Sequence, residues 1–190
     1  MDPKNIIIPK KELHKIAKKN TYPTNREDMQ RTNCIETINF LKNKNKKLFI
    51  KKSFLKRDIK QFENDYKLLK EKLKNIIPNQ AFIRTDNSVF AFCAPIDIKV
   101  DILLEENEEY IIELLKKDKK LLKQLKFFIR QFEELKNEKI IDLFKENLVI
   151  SDENKLYYVD SFLVFHESEI IKNSLENFEK IKKLVEKSYL

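Results

Sequence analysis

"EKIIDLFKENLVISDENKLYYVDSF", residues 138–162, is the stretch on which the reading of this chain turns. The runs "NLVI" and "LYYV" are short and rich in β-branched, aliphatic and aromatic residues, and the intervening "SDENK" supplies the Asn and Asp that favour turns. The stretch reads as a helix end, a turn, two short strands and a stop. If Val149 lies opposite Tyr157, Asn147 falls opposite Val159, and Asp160 stands one residue further on at the open end of the hairpin. Neighbouring positions across an antiparallel pair lie about 5 Å apart. An amide oxygen and a carboxylate converging in this way can share one hard cation, as oxygen ligands suited to Mg²⁺. Asp142, five residues before Asn147, brings a second carboxylate to the same end, where it can serve as a base.

The flanking sequence predicts helices after residue 97, near "EEYIIELLKK", in "KKLLKQLKFFIRQFEELKNE" and in the closing "SEIIKNSLENFEKIKKLVEKSYL". Upstream, "CIETINFL" and "KLFIKKSF" are apolar runs joined by the polar "KNKNK", which predicts a hairpin. "QAFIRTDNSVFAFCAPIDI" gives two more strands around "TDN". Between these pairs, Ile59, Phe62, Tyr66, Leu69 and Leu73 recur at helical spacing, with Asp58 as the expected cap and Pro78 just past the end. Residues 1–33 are polar and broken by Pro3, Pro9 and Pro23, with one short helical stretch at 10–20. The expected organisation is an extension at 1–33, a β-rich part with one helix at 34–97, and a helical part carrying the hairpin at 98–190. The fold class is α+β.

Composition bounds the function. Hydrophobic residues make up 42% of the 190, including 14 Phe, enough for a sizeable core. The net charge of +8 favours anionic partners, but the excess is spread along the chain. No basic face with stacking aromatics stands out, so nucleic acid is not an expected partner. Cys34 and Cys93 are isolated, as are His14 and His166, which argues against a zinc site or a disulfide framework. The apolar run Ile6–Ile8 is far too short for a signal-peptide core, and no stretch approaches membrane-spanning length. The chain has no glycine, where about a dozen would be usual for its length. Tight turns must therefore place Asn, Asp or Lys at positive φ or avoid that region.

With these residues in view, "IIDLFKENLVI" resembles the catalytic loop of the protein-kinase-like superfamily, an Asp followed by four residues and an Asn and then a short strand. "YVDSF" is similar to the metal-binding Asp-Phe-Gly segment, and the eighteen-residue interval from Asp142 to Asp160 is usual for the family. "LFIKKSF" resembles the strand with the phosphate-binding Lys, "FENDYKLLKEKL" the helix with its acidic partner, and "FAFCAPIDI" the hinge beside the adenine. The resemblance covers residues 34–165 in order. It implies a two-lobed kinase-like fold with a β-rich N-lobe and a reduced helical C-lobe, using ATP and Mg²⁺. It implies Asp142 as the base, Asn147 and Asp160 as magnesium ligands, Lys51 (or Lys52) on the phosphates, Asp65 (or Glu63) as the partner of that Lys, and Ala94 at the adenine edge.

The departures are equally definite. No Gly-rich loop can cover the phosphates, Ile140-Ile141 replaces the usual His-Arg, and the metal segment reads Asp160-Ser161-Phe162. Only 28 residues follow it, so a full activation segment and large helical lobe are not expected. The chain is similar to the compact kinases that bacteria secrete as effectors. That likeness implies transfer of phosphate to Ser, Thr or Tyr of a protein, a host protein in the case of an effector. A monomer is expected, either in the cytoplasm or delivered to a host cell without a cleavable signal peptide. Alternative readings on the same fold are a pseudokinase acting as an interaction module, a small-molecule kinase, and a nucleotidyl transferase.

Overall fold

The computed structural model describes residues 35–40, 46–53, 59–84, 89–93, 96–145, 147–159, 163–164 and 168–190. The helical stretch expected at 10–20, the expected cap Asp58, and Cys34, His14 and His166 lie outside them. The described chain is α+β, with four α-helices and antiparallel sheets. It groups into two compact units, divided at Asn64/Asp65, Ile77/Pro78 and Ile96/Asp97.

The first unit holds a four-stranded antiparallel sheet, β1 (Ile35–Phe40), β2 (Lys46–Ser53), β3 (Gln80–Arg84) and β4 (Val89–Cys93), in the order β1-β2-β4-β3. Both predicted hairpins form. β1 and β2 pair from Ile35 opposite Lys51 to Phe40 opposite Lys46, and β3 and β4 from Gln80 opposite Cys93 to Arg84 opposite Val89. β2 and β4 join the two hairpins, with Phe49 opposite Cys93.

Helix α1 (Ile59–Leu73) runs through the predicted amphipathic segment and ends in a 3-10 turn at Lys74–Ile76. The second unit takes Asp65–Ile77 and everything from Asp97 onward. Here β5 (Ile98–Asp101) is followed by a 3-10 turn (Glu105–Asn107), α2 (Glu108–Lys117) and α3 (Lys119–Leu135). Then come β6 (Ile140–Ile141), β7 (Leu148–Ser151), β8 (Leu156–Tyr158), β9 (Leu163–Val164) and α4 (Ser168–Lys187). Apolar residues from the predicted stripes of all four helices form one core in this unit. Leu69 and Leu73 of α1, Ile111 and Leu115 of α2, and Phe128 and Phe132 of α3 are buried in it with Phe178 and Ile181 of α4. Phe132 stacks on Phe178 with ring centres 4.1 Å apart. Burying a side chain of this size stabilises the fold by about 1.5–3 kcal/mol.

Two expectations are corrected. The chain does not turn wholly helical after residue 97, because β5 adds to the hairpin in a three-stranded sheet of order β5-β7-β8. Val100 and Asp101 are both buried there, and Asp101 is satisfied, its Oδ1 accepting the Leu103 N–H at 2.9 Å. Nor do residues 138–141 end a helix. α3 stops at Leu135, and Ile140 and Ile141 pair with Val164 and Leu163. No helix among the described residues is long and apolar enough to cross a membrane.

Candidate functional site

The hairpin has the predicted register, with Leu148 opposite Tyr158, Val149 opposite Tyr157 and Ile150 opposite Leu156. The Val159 N–H donates to the Asn147 carbonyl at 2.9 Å, so Asn147 falls opposite Val159 as the spacing requires. The turn of this hairpin is closed without glycine by Asn154 at φ 55°. Asp160 and Ala94 lie outside the described residues.

The loop from Asp142 to Asn147 is pinned along its backbone. The Asp142 carbonyl accepts two hydrogen bonds, from Asn147 Nδ2 at 3.1 Å and from the Tyr158 hydroxyl at 3.2 Å. The Asn147 N–H turns back onto the Phe144 carbonyl at 3.1 Å. Leu143 inserts its side chain into the core, and its N–H donates to the buried Ser174 Oγ at 3.1 Å. Its carbonyl accepts from Asn177 Nδ2 at 2.7 Å. Phe144 is then turned outward and is 61% exposed.

Asp142 and Asn147 are thus brought together, Asp142 half-buried and Asn147 buried. Asn147 Nδ2 is engaged by a carbonyl, and Oδ1 is the amide atom of the hard-oxygen type that Mg²⁺ takes as a ligand. Among the described residues no three His, Cys, Asp or Glu side chains gather as a metal set.

Lys51 lies in β2, opposite Ile35 on one side and Ala91 on the other, and the alternative Lys52 lies opposite Phe90. Asp65 is 2% exposed, and its Oδ1 is 3.9 Å from Lys139 Nζ, just ahead of β6. A buried carboxylate requires such a countercharge. The alternative Glu63 is half-buried. Farther off, the Glu105 carboxyl is held below its ordinary range by its hydrogen bond to Lys180 and that lysine's charge, with a smaller contribution from Lys145 of the loop.

Sequence reasoning missed Tyr158, Ser174 and Asn177. All three act on backbone groups, so neither spacing nor charge marks them. Ser174 and Asn177 do stand three apart in their helix, but Ser168 and Asn173 are equally polar there, so the pattern does not single them out. No protein-family model matches the chain, and no curated protein matches it.

Proposed function

We propose that the chain is a minimal ATP-dependent phosphotransferase of kinase-like, two-lobed type that modifies a protein hydroxyl. One observation carries the reading. A single backbone carbonyl, that of Asp142, gathers Asn147 and Tyr158, which holds an acid and an amide together at the mouth of a hairpin whose register sets Val159, the neighbour of Asp160, opposite Asn147.

In this reading Asp142 orients the acceptor hydroxyl and takes its proton as the oxygen bonds to the γ-phosphorus. The bond from that phosphorus to the β–γ bridging oxygen breaks, and ADP leaves. Lys51 contacts the phosphates. Asn147 and Asp160 are the residues that would hold Mg²⁺, which when bound neutralises charge on the phosphates.

The test incubates the protein with Mg²⁺ and ATP labelled at either the γ- or the α-phosphate, in the presence of a cell lysate. The reading expects γ-label on protein, falling about 10²–10⁴-fold in Asp142→Asn, the usual contribution of a general base. Asp160→Asn serves as the second control. Label from the α-phosphate instead would mean nucleotidyl transfer. A wild-type rate in Asp142→Asn would remove that residue from its role. The lack of glycine favours a second reading, a nucleotide-binding module without transfer, which predicts a thermal shift with ATP and no label.

A further inference from the structure

We infer that Ser174 and Asn177, on α4, are positioning residues that set the direction of the Asp142 side chain and the placement of Asn147; this role rests on the phosphotransferase reading above. The Asp142 carbonyl and the Leu143 N–H belong to one plane. That plane carries three hydrogen bonds, two accepted by its oxygen from Asn147 and Tyr158 and one donated by its nitrogen to Ser174 Oγ. The next peptide plane, between Leu143 and Phe144, is held through its carbonyl by Asn177 Nδ2 at 2.7 Å. Both planes flanking Leu143 are therefore tied to one helix, by side chains three residues apart on the same face.

Anchoring the loop to the core would not need this arrangement. Leu143 is 1% exposed and already anchors the loop through its side chain. What burial of Leu143 leaves undetermined is rotation about the backbone, and that rotation aims Asp142. The hydrogen bonds from α4 remove it. Ser174 is itself 1% exposed, so its hydroxyl is shielded from water, and loss of its oxygen leaves the Leu143 N–H without that acceptor in a buried site. Near-attack geometry is sensitive on this scale, where misplacement by 1 Å can cost about 10²-fold in rate.

The experiment compares wild type with Ser174→Ala, Ser174→Thr and Asn177→Asp, and with Leu175→Ala, a more exposed position on the same helix, as control. Initial rates of γ-label transfer to a fixed cell lysate are measured across ATP concentrations, and amide hydrogen exchange is followed in parallel. The expected result is a loss of about 10- to 10²-fold in apparent kcat for Ser174→Ala and Asn177→Asp with KM for ATP nearly unchanged. Ser174→Thr, which keeps the hydroxyl, recovers part of the rate. Exchange quickens at Leu143 in Ser174→Ala while the β7–β8 amides keep their protection. Normal kcat in both variants, or a loss that appears only with faster exchange along the whole of α4, overturns the positioning role and leaves the phosphotransferase reading standing. A wild-type chain that neither transfers label nor shifts with ATP overturns that reading, and the positioning role with it.

Discussion

Lys74, at φ 52°, and Asn154, at φ 55°, occupy the left-handed region in a chain that has no glycine to put there. For Lys74 the Cβ atom makes that conformation cost about 1–2 kcal/mol. Its ammonium reaches the Phe127 ring at only 5.9 Å from an exposed position, so little opposes its replacement. Lys74→Gly is expected to stabilise by about 0.5–1 kcal/mol, because relief of the clash exceeds the added freedom of the unfolded chain. In a protein of this size that is a rise of about 2 °C in thermal midpoint. Asn154→Gly should change the midpoint far less, since Asn tolerates the region and this one also accepts Lys99 Nζ at 3.1 Å. Melting curves of the two variants decide the matter, and a lower midpoint for Lys74→Gly would refute it.

At the level of elements, Asp118 joins α2 to α3. Its N–H closes the first helix on Leu114, and its Oδ1 accepts the Lys120 and Leu121 N–H groups at 2.9 and 3.0 Å. Asp118→Ala should cost about 1 kcal/mol, measurable as a lower denaturant midpoint with an unchanged slope. The helices were legible because each carries its own periodic apolar stripe. The β7–β8 hairpin was legible because two short apolar runs flank a polar turn, and that turn fixes their register locally. β6 and β9 were not, since a two-residue strand such as Ile140–Ile141 is defined only by partners more than twenty residues away. The same division runs through the site. Asp142 and Asn147 could be read from spacing, whereas Ser174, Asn177 and Tyr158 bind main-chain atoms that every residue possesses. β5 was hidden because Ile98 and Lys99 are exposed and only Val100 and Asp101 are buried, a pattern that does not alternate.

For the second unit as a whole, stability rests on the aromatic centre. Phe132→Ala, which removes the partner of Phe178, should cost about 3–5 kcal/mol by equilibrium denaturation. Charge plays a smaller, pH-dependent part. Glu105 bonds Lys180 at 3.0 Å, and Glu108 bonds Lys187, fastening the start of α2 to α4. Because the Glu105 carboxyl is held low when folded, its contribution is present above the unfolded carboxylate value and is lost as the pH falls through the folded one. Lys182 is held high, chiefly by its hydrogen bond to Glu179, so its contribution is present below the unfolded lysine value and lost as the pH rises through the folded one. Melting midpoints should form a plateau near neutral pH that declines on both sides and flattens in high salt, since both groups are exposed to screening.

The outward turn of Phe144 also has an optical consequence. The chain contains no Trp, so Phe144→Trp would install a single indole on the rim of the candidate site against a background free of other indoles. Its emission colour and quenching would report directly on whatever enters beside Asp142, whether or not any bond is then made or broken.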